Sequence, residues 1–495
     1  MISKVSRALS RRGGGDARAV WRRPRVLLWT ALGVVALAFL VALEIAARRY
    51  GVRGPISNQV REVLFAPKSG PLLYAGLALT TVVLSWRRRF VAFGAAIAAD
   101  LVLWLVRWAV DAPMMAGTGA LWVLLAHAVV AVTRRTGDER VLLLKAVGLG
   151  LLLVAGRKAG DTWLLITSKA RPMVLDPYMA AADHALGSPS WLAGRIVGAT
   201  GPVGAHVLDW VYVQLGVAAV VVALYQLRNA GIERRFPGHH LVRTFLVIGL
   251  LGPAVYMIFP VVGPIYAYGA EGGQWAVAHL WPDTPPPVVA PQPMPFDGIT
   301  PRNCMPSLHT AWATAIFIHS RKGPRALRYA GTLWLITTLG ATLGFGYHYG
   351  ADIIAGVVFT LTIEAALRAL DRGWDRRAVR LVAGGGAVFV AFLLAFRFLS
   401  MELAAHPWVF GPLLVLATLA VMYDYTRVTR QWDRETAAAH IPAQRHPSRT
   451  DSAAGASPSG SAPAGGSTTA PVPPRETAAA DRAGPEPREL EAKAP

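Results

Sequence analysis

Two histidines, a serine and an aspartate stand in two short segments whose residue types can do chemistry. Asn303-Cys304-Met305-Pro306-Ser307-Leu308-His309-Thr310 comes first, and Gly346-Tyr347-His348-Tyr349-Gly350-Ala351-Asp352 follows. Each has an ordinary explanation alone. Pro-Ser at a helix start is a common cap, and an aspartate in a first turn complements the helix dipole. Together they fit in-line displacement at phosphorus. A neutral imidazole, His348, can attack phosphorus and form a covalent phosphohistidine. Its second ring nitrogen must be held as a donor, which Asp352 can do from one turn further along a helix. His309 can protonate the leaving alcohol and later deprotonate the acceptor. Ser307 and the backbone N–H groups of the same helix start can hold phosphate oxygens. Arginine is the natural remaining partner of a phosphate, and Arg302 and Arg171 are the candidates. This chemistry demands no metal and no cofactor.

The elements that position these groups are membrane helices. The chain has 495 residues, of which 54% are hydrophobic and only 16% charged. A soluble protein of this length carries more charge and fewer long apolar runs. Candidate spans fall at about 26–47, 71–86, 90–110, 118–133, 141–157, 204–227, 241–262, 306–320, 326–346, 349–370, 379–398 and 405–425. The expectation is an all-α, polytopic membrane bundle of about 12 spans. Between His309 and His348 lies chain enough for one helix inward and one back. Arg321, Lys322, Arg325 and Arg328 mark the turn between them. His309, His348 and Asp352 are therefore expected to meet at one end of the bundle. Polar groups at membrane depth are costly unless they are used or satisfied.

The net charge of +21 is distributed in short clusters between apolar runs. That is the pattern of cytoplasmic loops rather than of a nucleic-acid surface, so nucleic acid is not an expected partner. Arg87-Arg88-Arg89, Arg134-Arg135, Arg234-Arg235, Arg321-Lys322 and Arg376-Arg377 then share the cytoplasmic side with both termini. The candidate site falls on the extracytoplasmic side. Only seven of the 50 basic residues are lysine, and with abundant alanine this points to a GC-rich genome and a bacterial inner membrane. The run from about 26 to 47 is too long for a signal-peptide core and reads as an uncleaved first span. From about 432 the chain is Ala, Pro, Ser and Gly with scattered charge, a composition that does not fold.

PSLHTAWA, residues 306–313, and GYHYGADIIAG, residues 346–356, resemble the second and third signature motifs of the type-2 phosphatidic acid phosphatase (PAP2) superfamily. Within it the resemblance is nearest to the inositolphosphotransferase branch, which includes inositol phosphorylceramide synthase and favours PSLH over PSGH. DPYMAAADHALG and FPVVGPIYAY upstream also look like that branch. The resemblance covers about 141–372 and implies a six-helix catalytic core there. It sits between four N-terminal spans within 1–140, two further spans within 373–431, and a disordered tail, 432–495. It implies His348 as nucleophile, Asp352 as its orienting partner, His309 as general acid and base, and Ser307 as a phosphate ligand. The implied substrate is a phospholipid or polyprenyl phosphate at the outer face, with water or an alcohol such as inositol as acceptor, among membrane lipids. One departure stands out. The superfamily's first motif, a lysine followed after six residues by Arg-Pro, has no counterpart in FPVVGPIYAY, and Lys169-Ala170-Arg171-Pro172 has the wrong spacing.

Other features carry less. Asp176 and Asp183 are one face of a helix apart and fit either an acceptor-binding role or a solvated face and cap. Asp100 and Arg107 also share a helix face and are expected to pair with each other or with neighbouring helices. Cys304, the single cysteine, reads as a small buried side chain. Two other classes are compatible with the hydropathy: a transporter or flippase, which predicts internal repeats, and an inactive scaffold, supported by the missing first-motif cation.

Overall fold

The computed structural model describes residues 31, 33–64, 70–268, 290–291, 293–298 and 300–439. Among them no strand forms, and one isolated bridge joins Met173 to Pro293. The helices are α1 (33–49), α2 (Pro55–Leu64), α3 (Gly70–Thr81), α4 (Trp86–Ala109), α5 (Thr118–Arg134), α6 (Gly137–Ala170), α7 (Asp176–Ala185), α8 (Pro189–Ala199), α9 (Gly201–Val213) and α10 (Leu215–Leu227). They continue with α11 (Ala230–Glu233), α12 (Leu241–Ile258), α13 (Pro264–Tyr268), α14 (Leu308–Ser320), α15 (Arg325–Gly344), α16 (Gly350–Arg372), α17 (Arg376–Phe398), α18 (Ser400–Ala405) and α19 (Pro407–Ala439).

The all-α expectation holds for the described residues, and among them the count of about 12 spans is not confirmed. Six helices are long and apolar enough to cross a bilayer, by length and composition: Trp86–Ala109, Leu215–Glu233, Leu241–Ile258, Gly350–Arg372, Arg376–Phe398 and Pro407–Ala438. The difference has identifiable causes. The run at 71–86 folds as α3, only 12 residues, and the run at 306–320 as α14, only 13. The run at 204–227 is broken at Gln214 into α9 and α10. The run at 141–157 is part of α6, whose 34 residues extend for about 51 Å and so outrun a hydrocarbon core of roughly 30 Å. The segment 158–203, which falls between two of the expected spans, is thus largely helical. α19 likewise continues past the expected boundary at 431, and residues 440–495 lie outside the described part.

α16 is the central post. Two thirds of its apolar window is buried, against 17% for α4, so α16 packs on protein all round while α4 presents most of its surface outward. α14 packs on α15 and α16, and α12 bridges α6 and α14. Gly356 sets how closely α14 and α16 approach, because a Cβ there would stand 2.7 Å from the carbonyl oxygen of Ser307. Thr360 Oγ1 continues the seam, donating to Ala311 O at 3.2 Å. Asp100 and Arg107 do not pair. Asp100 accepts from Tyr74 OH (2.8 Å), Gly117 N (2.6 Å) and Gly119 N (2.7 Å), while Arg107 donates to Met115 O (2.5 Å). Both close the turn ahead of α5, which satisfies a buried carboxylate without an ion pair.

Candidate active site

α14 and α16 deliver the two motifs to the same end of the bundle. Ser307 caps α14, its Oγ accepting from Thr310 N at 3.3 Å, and its own N–H donates to Asp352 O at 3.2 Å. Tyr349 caps α16 in a reciprocal capping box with Asp352, whose Oδ2 accepts from Tyr349 N at 2.8 Å. The cap that could have explained Asp352 by itself is therefore real. It also aims the carboxylate. Asp352 Oδ2 stands 3.5 Å from His348 Nδ1, and Oδ1 is buried without a partner. The rings of His309 and His348 face each other edge to face with centroids 6.5 Å apart. His348 is buried, and His309 is half-buried. The basic turn 321–328 lies at the far end of α14, away from the histidines.

Two neighbours were not legible as site residues. Tyr212, at the end of α9, stacks on His309 with centroids 4.1 Å apart and planes 20° apart, and its hydroxyl lies 3.0 Å from His309 Nδ1. The break at Gln214, which a single span from 204 to 227 conceals, follows immediately after that helix. Cys304 is fully buried between the dyad members: its Sγ lies 2.7 Å from Asp352 Oδ2, 3.2 Å from His348 Nδ1 and 3.3 Å from Tyr347 O. Burial pushes its thiol pKa well up, so it stays protonated and donates its one hydrogen, most strongly to the carboxylate. The ligand atoms of Cys304, His348 and Asp352 all lie within 4.8 Å of one another, so a thiophilic ion would find donors here, at the cost of two protons and of His348 Nδ1.

Asp176 and Asp183 neither line the site nor face solvent. Both are essentially fully buried. Asp176 accepts from Val262 N (3.0 Å), Gly263 N (2.8 Å) and Tyr349 OH (2.9 Å). Asp183 accepts from Ser190 Oγ (3.2 Å) and from Gly350 N, the first residue of α16. They pin the segment carrying His348 from two sides. Gly263 is required at this junction: its φ is +103°, and a Cβ would fall 2.3 Å from Tyr347 O. Burial raises the pKa of both carboxyls to about 7 against the opposing pull of their N–H donors.

The candidate phosphate cations are distributed differently from expectation. Arg302 is fully buried and donates to Thr300 O at 3.0 Å and to Met294 O, with its guanidinium over the Phe296 ring. Arg171 is exposed at the C-cap of α6. Neither makes a described contact with the histidines. Arg157, further back on α6, holds Asp161 at 2.7 Å.

This assembly is a helical membrane protein with a histidine pair and a buried carboxylate at one end of its bundle. Residues 178–366 match the model of the PAP2 superfamily, and residues 27–166 match that of a family described as Domain of unknown function (DUF5933). The PAP2 match contains Tyr212, Cys304, Ser307, His309, His348 and Asp352, and it ends inside α16. A PAP2 superfamily domain joined to several apolar helices is the make-up of a membrane phosphatase-like protein, and members of that superfamily are generally phosphoesterases. No curated protein and no solved structure matches the chain.

Proposed function

We propose that the protein is an integral membrane lipid phosphatase or phosphotransferase working through a phosphohistidine at the extracytoplasmic end of the bundle. The observation that carries this reading is the meeting of His309 and His348 across 6.5 Å with Asp352 behind His348. His348 Nδ1 faces Cys304 and Asp352, which leaves Nε2 as the attacking atom. Nε2 forms a bond to phosphorus as the bond from phosphorus to the leaving oxygen breaks. Beside the phosphate anion His309 acts as the imidazolium: its Nδ1–H donates to the Tyr212 hydroxyl, its Nε2 proton passes to the leaving oxygen, and the ring is left as neutral imidazole. His309, now a base, takes a proton from the acceptor. The acceptor oxygen attacks phosphorus, the P–N bond breaks, and His348 is restored.

Ser307 Oγ spends its lone pair on Thr310 N and keeps its own hydrogen for a phosphate oxygen. The free N–H groups at the start of α14 add to this hold. Arg302 and Arg171 remain the candidate cations in place of the lysine and arginine of the missing first motif. The substrate class that fits is a phospholipid or polyprenyl phosphate, whose tail stays in the bilayer while its phosphate reaches the helix ends. The basic turn 321–328 at the far end of the same helices supports an outer-face site with cytoplasmic termini.

The test is phosphate release or transfer by the purified protein from phosphatidate, polyprenyl phosphate and phosphatidylinositol, with and without inositol as acceptor. Free phosphate lost in His348→Ala identifies a phosphatase. Phosphorylated inositol lost in that variant identifies the inositolphosphotransferase-like activity. Turnover unchanged by His348→Ala removes the reading and moves the transporter and scaffold alternatives forward.

A further inference from the structure

A second cluster lies at the opposite end of α14 and α16, and the chemistry above does not use it. His319 is ten residues beyond His309, about 15 Å along α14, and Glu364 is twelve beyond Asp352, about 18 Å along α16. They meet His239, which lies in the connection between α11 and α12. His319 Nε2 stands 2.8 Å from Glu364 Oε1, and His239 Nε2 stands 2.8 Å from Glu364 Oε2. The ligand atoms of all three residues lie within 4.8 Å of one another. Glu364 is fully buried, and His319 nearly so.

A carboxylate in such a place is costly unless a cation or a full set of donors meets it. The neighbouring guanidiniums are engaged elsewhere: Arg368 pairs with Asp433 at 2.8 Å and Arg243 with Asp371 at 2.6 Å. Thr244 Oγ1 donates to Glu364 Oε1 at 2.6 Å. Oε2 has no hydrogen-bond partner although His239 Nε2 is 2.8 Å away, and His239 Nδ1 is also buried and unpartnered. So ring nitrogen and carboxylate oxygen approach each other off the N–H···O line, as two atoms do when they face a common third point. Three donors from three separate elements, two imidazoles and one carboxylate, form the ligand set that suits a zinc-type ion.

We propose that His239, His319 and Glu364 bind one divalent cation of the zinc type, which ties the connection ahead of α12 to α14 and α16. The ion takes the Nε2 lone pair of His319, so the ring proton moves to Nδ1. Gln226, whose Nε2 now lies 2.7 Å from that Nδ1 and whose Oε1 accepts from Leu241 N at 2.8 Å, turns its amide to accept the proton and releases Leu241 N–H. Gln226 thereby becomes the outer partner that fixes the ligating tautomer.

The experiment uses the full chain, purified in detergent, stripped with EDTA and dialysed. Metal content is measured after loading with Zn2+, and visible absorption after loading with Co2+. Thermal melting is followed with Zn2+ and then with EDTA. His239→Ala is the informative variant, since His239 is the most exposed of the three ligands, and His348→Ala separates this cluster from Cys304, His348 and Asp352. The proposal expects about one equivalent that persists in His348→Ala and is lost in His239→Ala, and a rise in melting temperature that EDTA reverses. It is overturned if wild type takes up no metal, if uptake survives in His239→Ala, or if uptake is lost in His348→Ala. Should His239→Ala fail to fold, His348→Ala decides: a Zn2+-dependent melting rise in that variant supports the site, and a flat melt there overturns it.

Discussion

Replacing Tyr212 by phenylalanine isolates one hydrogen bond in the proposed site. Tyr212 makes two contacts with His309: a ring stack at 4.1 Å and a hydroxyl contact at 3.0 Å to Nδ1. Phenylalanine keeps the first and removes the second. A hydrogen bond from an imidazolium contributes about 1.5–3 kcal/mol net, which corresponds to about a 13- to 160-fold fall in kcat. Alanine also removes the stack, worth about another 0.5–1.5 kcal/mol, for a combined fall of about 30- to 2000-fold. Tyr212 touches the histidine rather than the phosphate, so KM should stay unchanged in the phenylalanine variant. The assay is phosphate release from the best lipid of the substrate panel, with kcat and KM separated and folding checked by thermal melting. An unchanged kcat, or a loss carried by KM alone, would refute the assignment of Tyr212 as the residue that positions His309.

Three further outcomes follow. Cys304→Ala removes the donor 2.7 Å from Asp352 Oδ2 and leaves a buried carboxylate short of a partner, a loss of about 1–3 kcal/mol; kcat should fall while Cys304→Ser recovers part of it, and equal activity in all three proteins would contradict the role. Asp183 is raised by burial to about 7, so from about pH 4 upward the folded protein holds a proton that the unfolded chain has lost. This contribution to stability is then fully present below the ordinary carboxyl range, falls as pH rises toward 7 and levels off above it; Asp183→Asn should reduce the slope of the melting-temperature profile between pH 4 and 8, leaving the share of Asp176, and an identical slope would contradict the burial argument. Gly356→Ala forces α14 away from α16 at the Ser307 carbonyl and should cost about 1–3 kcal/mol, read as a lower melting temperature.

The meeting of His309 and His348 was legible because each histidine sits in a local motif and because one helix in and one helix back must return to the same end. That argument needs only the rise per residue and the position of the basic turn 321–328. The partners of the pair come from elsewhere in the chain and leave no local trace. Tyr212 lies 97 positions before His309, beside a helix break that hydropathy averages away. Cys304 looks like any small buried residue until Asp352 and His348 are folded against it. Asp176 and Asp183 attract notice by spacing, yet their role depends on backbone N–H groups at Val262, Gly263 and Gly350, which no side-chain pattern announces. The count of spans rests on apolar runs, which measure hydrophobicity rather than helix length. α14 is buried among α12, α15 and α16 and is only 13 residues long.

The most direct test of the account is rapid-quench trapping with substrate labelled on phosphorus, followed by peptide mapping. The account predicts an acid-labile, base-stable phosphoryl adduct on His348 in the wild-type protein, and none in His348→Ala. Turnover with no adduct on His348, or an adduct on another residue, would contradict it.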